Sequence, residues 1–333
     1  MTARDASGCL QSPGGRQPWP GSSRGDDELP DGIFPFLPDW FRFDPASASP
    51  IVAVAALLLC AWYLHGAVHL WTRRRRWPLA RTISFVLGCT VMFSIATFGV
   101  NRYASVSITA LMFQQITVMT VIPPLLIAGS PGRLLLRSTS HRGVGGIALK
   151  LAHAGLRSRW ARAVLHPLVP IAIALAVFPA LYLTDFISIL MATRIGADAL
   201  LAGLLVAGII AAVPLWSSDP LPRVPSYPAR LVDIVVEIQI HAVLGLILIR
   251  AAAPLFSGYS TPEQGMDPVY DQAVAGMLLW TYAELPLLVV LIVCLSRWHS
   301  RDRRSSRLEE SREDAERAEY NAYLAEIANR DRG

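Results

Sequence analysis

Charged residues are scarce in this sequence, and hydrophobic residues are in clear excess. Only 17% of the 333 residues are charged and 53% are hydrophobic, and the mean hydropathy is +0.41. A soluble domain of this length is not expected to be so apolar. The composition therefore predicts an all-α, polytopic membrane protein.

Cysteine is also rare, and the few cysteines form no motif. Cys9, Cys60, Cys89 and Cys294 stand alone, and no two of them have the Cys-x-x-Cys spacing. Isolated cysteines in apolar segments usually pack as small hydrophobic residues. This pattern excludes a disulfide framework and a thiolate metal motif.

Two functional classes lack the residues that they require. The only lysine, Lys150, lies in a predicted loop, whereas a retinal protein needs a Schiff-base lysine within a helix. The pair His65 and His69 has Gly66 where a metalloprotease needs glutamate, and no serine nucleophile motif is present. The sequence therefore predicts a protein that is not an enzyme.

Apolar runs long enough to cross a bilayer as helices, roughly 18 to 25 residues each, occur seven times. They are Ile51–Trp71, Thr82–Val100, Ile108–Ala128, Val164–Thr184, Ala199–Trp216, Leu231–Ala252 and Gln272–Ser296. We predict a seven-helix transmembrane bundle over residues 50–298. A disordered external tail is expected at 1–49, and a charged, potentially helical cytoplasmic tail at 299–333.

Basic residues alternate between the connections and so orient the spans. Lys and Arg number 23 in segments 73–81, 129–163, 217–230 and 297–333, but 6 in the remaining tail and connections. By the positive-inside rule, the N-terminus is outside and the C-terminus is cytoplasmic, as in a bacterial plasma-membrane protein. The net charge of +5 reflects arginines beside anionic lipid and does not indicate nucleic acid binding.

The sixth run contains three ionisable residues on one helical face. Asp233, Glu237 and His241 are spaced at i, i+4 and i+8. Ionisable groups are costly in hydrocarbon, and they usually face the protein interior and mark a site. They form either a polar ladder that joins this helix to its neighbours or a functional site.

The third run places Met112, Gln115 and Met119 on one face and then reaches Pro123 and Pro124. Consecutive prolines break the helix and free backbone carbonyls. Thioethers are soft ligands that suit Cu(I), although methionine in a helix is usually only a packing residue. Both interpretations remain open.

A rise of about 1.5 Å per residue places His241, Met119, Glu284 and His65 within a few ångströms of mid-bilayer. His241, Met119, Met112 and His65 are therefore candidate metal ligands. The candidate acids and amide around them are Asp233, Glu237, Glu284 and Gln115.

Five motifs in order resemble the CtaG-type assembly factors of bacterial caa-type cytochrome c oxidase, including divergent actinobacterial members. They are Met112-x-Gln114 with Pro123-Pro124, Asp219-Pro220 with Arg230, His241 with Gly245, Asp271-Gln272 with Gly276, and Trp280 with Glu284 and Pro286. The resemblance implies a multi-pass plasma-membrane factor that contacts oxidase subunits, acting at copper insertion or subunit maturation with transiently bound copper.

The chain departs from this family at several histidine positions. Leu111 and Gln115 stand where the third span typically has histidine, and Ala197 and Leu201 stand where the fifth span does. If those histidines bind copper in the family, most of that site is absent here. Two other functions stay open: a proton-coupled transporter of a small solute or metal, using the acidic ladder, and a haem protein with His65 and His241 as axial ligands.

Overall fold

A computed structural model describes residues 37–139, 146–147, 149–150, 154, 158–164, 166, 168–216, 219, 226–259 and 267–330. These residues form helices joined by turns, with a single isolated bridge between Phe43 and Phe98. The all-α prediction is confirmed. Residues 1–36 of the predicted external tail, together with Cys9 and Pro220, lie outside the described residues.

Ten helices build the described bundle. They are α1 (Pro50–Thr72), α2 (Leu79–Thr97), α3 (Ile108–Ile116), α4 (Ile122–Ala128), α5 (Pro131–Ser138), α6 (Leu168–Tyr182), α7 (Arg194–Trp216), α8 (Tyr227–Arg250), α9 (Pro268–Thr281) and α10 (Glu284–Arg330). A π-helical segment, Thr117–Val121, joins α3 to α4. Short helical turns at Leu37–Trp40, Val100–Tyr103, Arg159–Val164, Phe186–Met191 and Ser257–Tyr259 complete the pattern.

Local sequence explains where several of these helices begin. Ser226 and Asp267 stand at the N-caps of α8 and α9, each followed by a proline within the next two residues. Their side chains accept hydrogen bonds from the backbone N–H of Ala229 and Val269. A polar cap followed by proline is a strong helix start, since the cap satisfies a free N–H and proline needs none.

Among the described residues, six helical stretches are long and apolar enough to cross a membrane. In this count, Ile108–Ser138 is one stretch and Pro268–Tyr323 is another. The fourth predicted span corresponds to α6, which has 15 residues and a length of about 22 Å, against roughly 30 Å of hydrocarbon. The other predicted spans agree with the helices to within about five residues. At the C-terminus, α10 continues through the charged tail as one helix to Arg330.

Residues 39–49 pack against the bundle. Trp40 is buried and lies 5.7 Å from the ring of Phe113, and the N–H of Gly99 donates to the carbonyl of Arg42 at 2.8 Å. Contacts therefore tie residues 39–49 to the bundle. The composition of this stretch, which is rich in proline and acid, did not indicate these contacts.

The backbones of α8 and α9 cross at close range. A Cβ atom on Gly276 would lie 2.7 Å from the carbonyl oxygen of Gly245, and one on Gly245 would lie 2.8 Å from that of Gly276. Small residues at such a crossing let the two backbones approach closely. With α8 held in this way, α6 and α10 pack on its other sides, and the candidate site lies among these helices.

Candidate functional site

A cavity of about 40 Å³ lies between α4, α6, α7, α8, α10 and the π segment. Its walls include Met119, Phe178, Glu237, His241 and Pro286. A water molecule needs roughly 10–15 Å³ of such volume, so the cavity has room for a metal ion or a few waters. The structure thus brings together His241, Met119 and Glu237 from the sequence prediction.

His241 presents its imidazole to this cavity. The residue is 4% exposed, and its ring lies edge-on to Phe178 with 5.1 Å between centroids. Nδ1 is buried and has no hydrogen-bond partner among the described residues. Buried polar atoms are normally satisfied, so this nitrogen is placed to receive a ligand or a water.

Met119 lies in the π segment, where two prolines remove backbone donors. An α-helical bond to the carbonyl of Met119 would come from residue 123 and a π-helical bond from residue 124, and both are prolines. The carbonyl therefore has no donor within its own helix. Gly208 of α7 fits against it, since a Cβ there would collide with the carbonyl oxygen. Segments of π-helix often occur at functional sites.

A second irregularity in the helices faces the first. Pro286 cannot donate to the carbonyl of Tyr282, and the helix stops at Thr281 and resumes at Glu284. The break therefore lies just before Pro286. The hydroxyls of Tyr282 and Thr117 lie 3.1 Å apart, so one side-chain hydrogen bond ties the break to the π segment.

The acidic ladder on α8 is buried along its whole length. Asp233, Glu237 and His241 all have little exposed surface, as their common face predicted. Glu237 lines the cavity, whereas Asp233 lies one turn away with Oδ1 lacking a partner among the described residues. Glu284 is half-buried and has an unpartnered Oε1, but it is not part of the cavity wall.

Three other predicted residues lie away from the cavity. His65 is exposed on the surface of α1 and stacks on His69 at 6.5 Å, so the structure does not bring it to His241. Met112 is fully buried in α3 outside the cavity wall. Gln115 accepts a hydrogen bond from the hydroxyl of Tyr182 at 2.5 Å, and its Nε2 has no partner among the described residues.

Comparison with known proteins bears on this arrangement. The model of the cytochrome c oxidase caa3 assembly factor family (Caa3_CtaG) matches residues 61–301. The chain belongs to this family. The matched region contains every residue that lines the cavity.

Mycobacterial relatives also resemble the chain. Uncharacterized proteins of Mycobacterium bovis and Mycobacterium tuberculosis are each 27% identical over 300 residues, covering 86% of this chain and 44% of the relative. One from Mycobacterium leprae is 25% identical over 314 residues, covering 90% and 46%. The chain thus spans less than half the length of these relatives. No solved structure matches it.

Two aspartates of the motifs that resemble the caa3 assembly factors cap helices elsewhere in the bundle. Asp271 of α9 accepts hydrogen bonds at the start of α3 from Ser107 Oγ (3.0 Å) and from the N–H groups of Ile108 (2.7 Å) and Thr109 (3.2 Å). Asp219 accepts from two N–H groups in the first turn of α5 at 2.9 and 3.1 Å. A carboxylate at a helix N-terminus satisfies free donors and favours the helix dipole.

Sequence reasoning missed both caps because the donors are 86 to 164 residues away in the chain. A signal did exist, since the first turns of α3 and α5 carry no acid of their own.

The cap on α3 has a neighbour in Tyr259, whose hydroxyl donates to the carbonyl of Ala104 at 2.7 Å. Burial, helped by the charge of Asp271, raises the pKa of Tyr259, so this donor keeps its proton.

The remaining motif residues have structural surroundings of their own. Arg230 places its guanidinium 5.8 Å above the ring of Tyr227, and its buried Nε has no partner among the described residues. Trp280 is 44% exposed at the crossing next to Gly245. Pro124 contributes to the cavity wall.

The positions where the caa3 assembly factors typically carry histidine lie apart from the His241 cavity. Ala197 and Leu201 line a second cavity of about 250 Å³ together with Gln114 and Asp198, and Leu111 is buried in α3. Among the described residues, no three His, Cys, Asp or Glu side chains cluster closely enough to hold a metal ion. Met119 is the sulfur-containing residue that lines the cavity with His241.

Proposed function

We propose that this chain is a plasma-membrane assembly factor for haem-copper cytochrome c oxidase and that it holds copper transiently for the oxidase subunits. The observation that carries the proposal is that His241 and Met119, which offer an imidazole and a thioether, line the same cavity. Membership of the caa3 assembly factor family supplies the pathway in which such a site acts.

The donor set suits Cu(I) as cargo. Imidazole nitrogen and thioether sulfur are ligands that copper accepts readily, whereas carboxylates are poor ligands for Cu(I). Glu237 in the cavity wall would balance the charge of the ion and orient the groups around it. A site with so few strong ligands favours release, which a carrier requires and an enzyme cofactor site does not. No chemical turnover is needed.

The proposed topology has seven spans with the N-terminus outside and the C-terminus in the cytoplasm. The alternation of basic connections supports this orientation. The seventh crossing requires α6, whose 15 residues would span the bilayer only with flanking turns or local thinning. Phe178 on α6 packs against His241, so α6 belongs to the same bundle.

Deletion of the gene tests the proposal in cells. We expect membrane oxidase activity to fall in the deletion strain and to recover partly with added copper. Complementation with wild type or His65→Ala should restore activity, because His65 lies outside the cavity. His241→Ala should fail at equal protein level. Unchanged oxidase activity in the deletion strain would refute the assembly role.

Proton-coupled transport is a second candidate, favoured by the continuous burial of Asp233, Glu237 and His241 on one face of α8. Such rows of carboxyl and imidazole groups serve as proton relays. Asp233→Asn distinguishes the two functions: a relay loses activity, whereas a copper carrier that uses His241 and Met119 keeps it. A haem site has less support, since His65 and His241 do not share a cavity.

A further inference from the structure

A polar cleft lies at the basic end of the bundle, far along α8 and α10 from the His241 cavity. It has a volume of about 420 Å³ and opens between the first turn of α8 and the end of the apolar part of α10. Its walls are Tyr227, Ser296, Arg297, Ser300, Arg301 and Arg304. Every lining side chain is a cation or carries a hydroxyl, so the cleft suits an anion.

The three arginines have no acid in position to pair with them along their own helix. Carboxylate partners on a helix stand three or four residues away, and no Asp or Glu stands at those distances from Arg297, Arg301 or Arg304. Farther along α10, Arg312 pairs with Glu316 at 3.0 Å and Arg317 with Glu313 at 3.5 Å. One helix thus contains paired arginines in its tail and, at the cleft, arginines that form no ion pair with the residues that the structure describes.

The cleft also lies where the apolar surface of the bundle ends. Ile292 and Leu295 are exposed on α10 just before it, and Trp298 is exposed on the same helix beside Arg297. Tryptophan at the end of an apolar span marks the membrane interface. Arg230, stacked over the Tyr227 wall with its buried Nε unpartnered among the described residues, adds a fourth cation nearby.

We infer that this cleft binds the phosphate of an anionic phospholipid, with the acyl chains along the exposed apolar face of α10. Guanidinium groups bind phosphate oxygens in pairs, and basic pockets at the cytoplasmic ends of spans recognise lipid headgroups. The hydroxyls of Ser296 and Tyr227 supply donors, and Ser300 Oγ, which donates its own proton to the carbonyl of Ser296 at 2.8 Å, can accept a hydrogen bond from a glycerol headgroup. This inference is independent of copper and of His241.

The test uses the full chain in nanodiscs of phosphatidylcholine with a trace of fluorescent phosphatidylglycerol. The cleft variant is the triple substitution Arg297→Gln, Arg301→Gln and Arg304→Gln. The matched control removes the same charge from the same helix through Arg307→Gln, Arg312→Gln and Arg317→Gln. At about 1 kcal/mol for each cation near the headgroups, we expect the cleft variant to lose at least about tenfold in phosphatidylglycerol affinity and the control to lose less than about twofold.

Three outcomes would overturn the assignment. Equal losses in the two triple variants would mean that total charge, not the cleft, attracts the lipid. Unchanged affinity in the cleft variant would place the lipid elsewhere. Inorganic phosphate that binds in pure phosphatidylcholine nanodiscs, competes with phosphatidylglycerol and is lost in the cleft variant would identify free phosphate as the ligand. All six arginines are exposed, so helicity and monodispersity should be preserved in both variants.

Discussion

Buried aspartates in this bundle differ in whether their oxygens are satisfied. Asp271 receives three hydrogen bonds at the start of α3, whereas Oδ1 of Asp233 has no partner among the described residues. A buried carboxylate with several donors stabilises the fold, while an unsatisfied one costs free energy. Asp271 is therefore a structural residue. The buried row of Asp233, Glu237 and His241 on α8 is instead the better candidate for a functional role.

Asp271→Asn should destabilise the protein. The amide keeps one acceptor but loses the charge and at least one of the three bonds, so we expect the free energy of unfolding to fall by about 1–3 kcal/mol. Denaturation of the purified protein in detergent measures this. Asp267→Asn is the matched control, since Asp267 caps only its own helix at an exposed position, and it should cost about 0.5–1 kcal/mol. Equal effects of the two substitutions would contradict the capping role of Asp271.

Residue type and spacing predicted part of the site but not all of it. The i, i+4, i+8 spacing correctly placed Asp233, Glu237 and His241 on one buried face. The depth of His65 in the bilayer was predicted from the rise per residue, but this rise does not show which way the side chain faces. The rotation of a helix relative to its neighbours is needed for that. Met119 was chosen for its chemistry, and only the packing of α6, α7 and α8 brings it to His241.

At the scale of helices, two proline breaks meet beside the cavity. The π segment precedes Pro123 and Pro124, the gap after α9 precedes Pro286, and the Thr117–Tyr282 hydrogen bond joins them. A proline within a helix costs about 3 kcal/mol. Two such breaks beside one cavity indicate that irregular backbone is part of the site.

Pro123→Ala with Pro124→Ala should separate stability from function. The new N–H groups can bond to the carbonyls of Met119 and Thr120, so we expect unfolding stability to stay the same or rise. Met119 should then turn away from His241, and Cu(I) affinity should fall at least about tenfold. Pro228→Ala at the start of α8 is the control, since no helical bond is missing there. Unchanged copper affinity in the double variant would show that the π segment does not position Met119.

The α8–α9 crossing gives a prediction about packing alone. Gly245→Ala or Gly276→Ala would push a methyl group onto the opposite backbone, and each should cost about 1–3 kcal/mol of stability. Gly203→Ala is the control because open space surrounds that position, and it should be neutral or stabilising by up to about 1 kcal/mol. Thermal unfolding in detergent compares the three. Equal behaviour of all three variants would exclude a close crossing.

For the whole molecule, the sequence predicted a helical membrane bundle and its order, while the number of crossings depends on α6. Long apolar runs were easy to recognise because hydrocarbon requires them. The fourth run contains Pro170 and Pro179 within its helix, and hydropathy alone could not show that only 15 residues would be regular. The anchoring of residues 39–49 was missed for a similar reason, since it depends on contacts with a distant helix.

Reporter fusions test the proposed seven-span topology. A fluorescent protein fused after residue 333 should fluoresce, and alkaline phosphatase there should be inactive, because the basic C-terminal segment stays in the cytoplasm. Phosphatase inserted between residues 191 and 194 should be active, and insertion within 140–145, on the other side of α6, should be inactive. Equal phosphatase activity at the two insertion sites would mean that the chain between them does not cross the membrane.

A Cu(I) titration of the purified chain against a chromophoric competitor in detergent decides whether the cavity binds copper. We expect one Cu(I) per chain in the wild type and in His65→Ala. His241→Ala and Met119→Leu should each lose more than about 100-fold in affinity, with unchanged helicity. If His241→Ala binds copper as tightly as the wild type, or if the wild type binds none, the cavity is not a copper site and the proposed copper-carrier function is wrong.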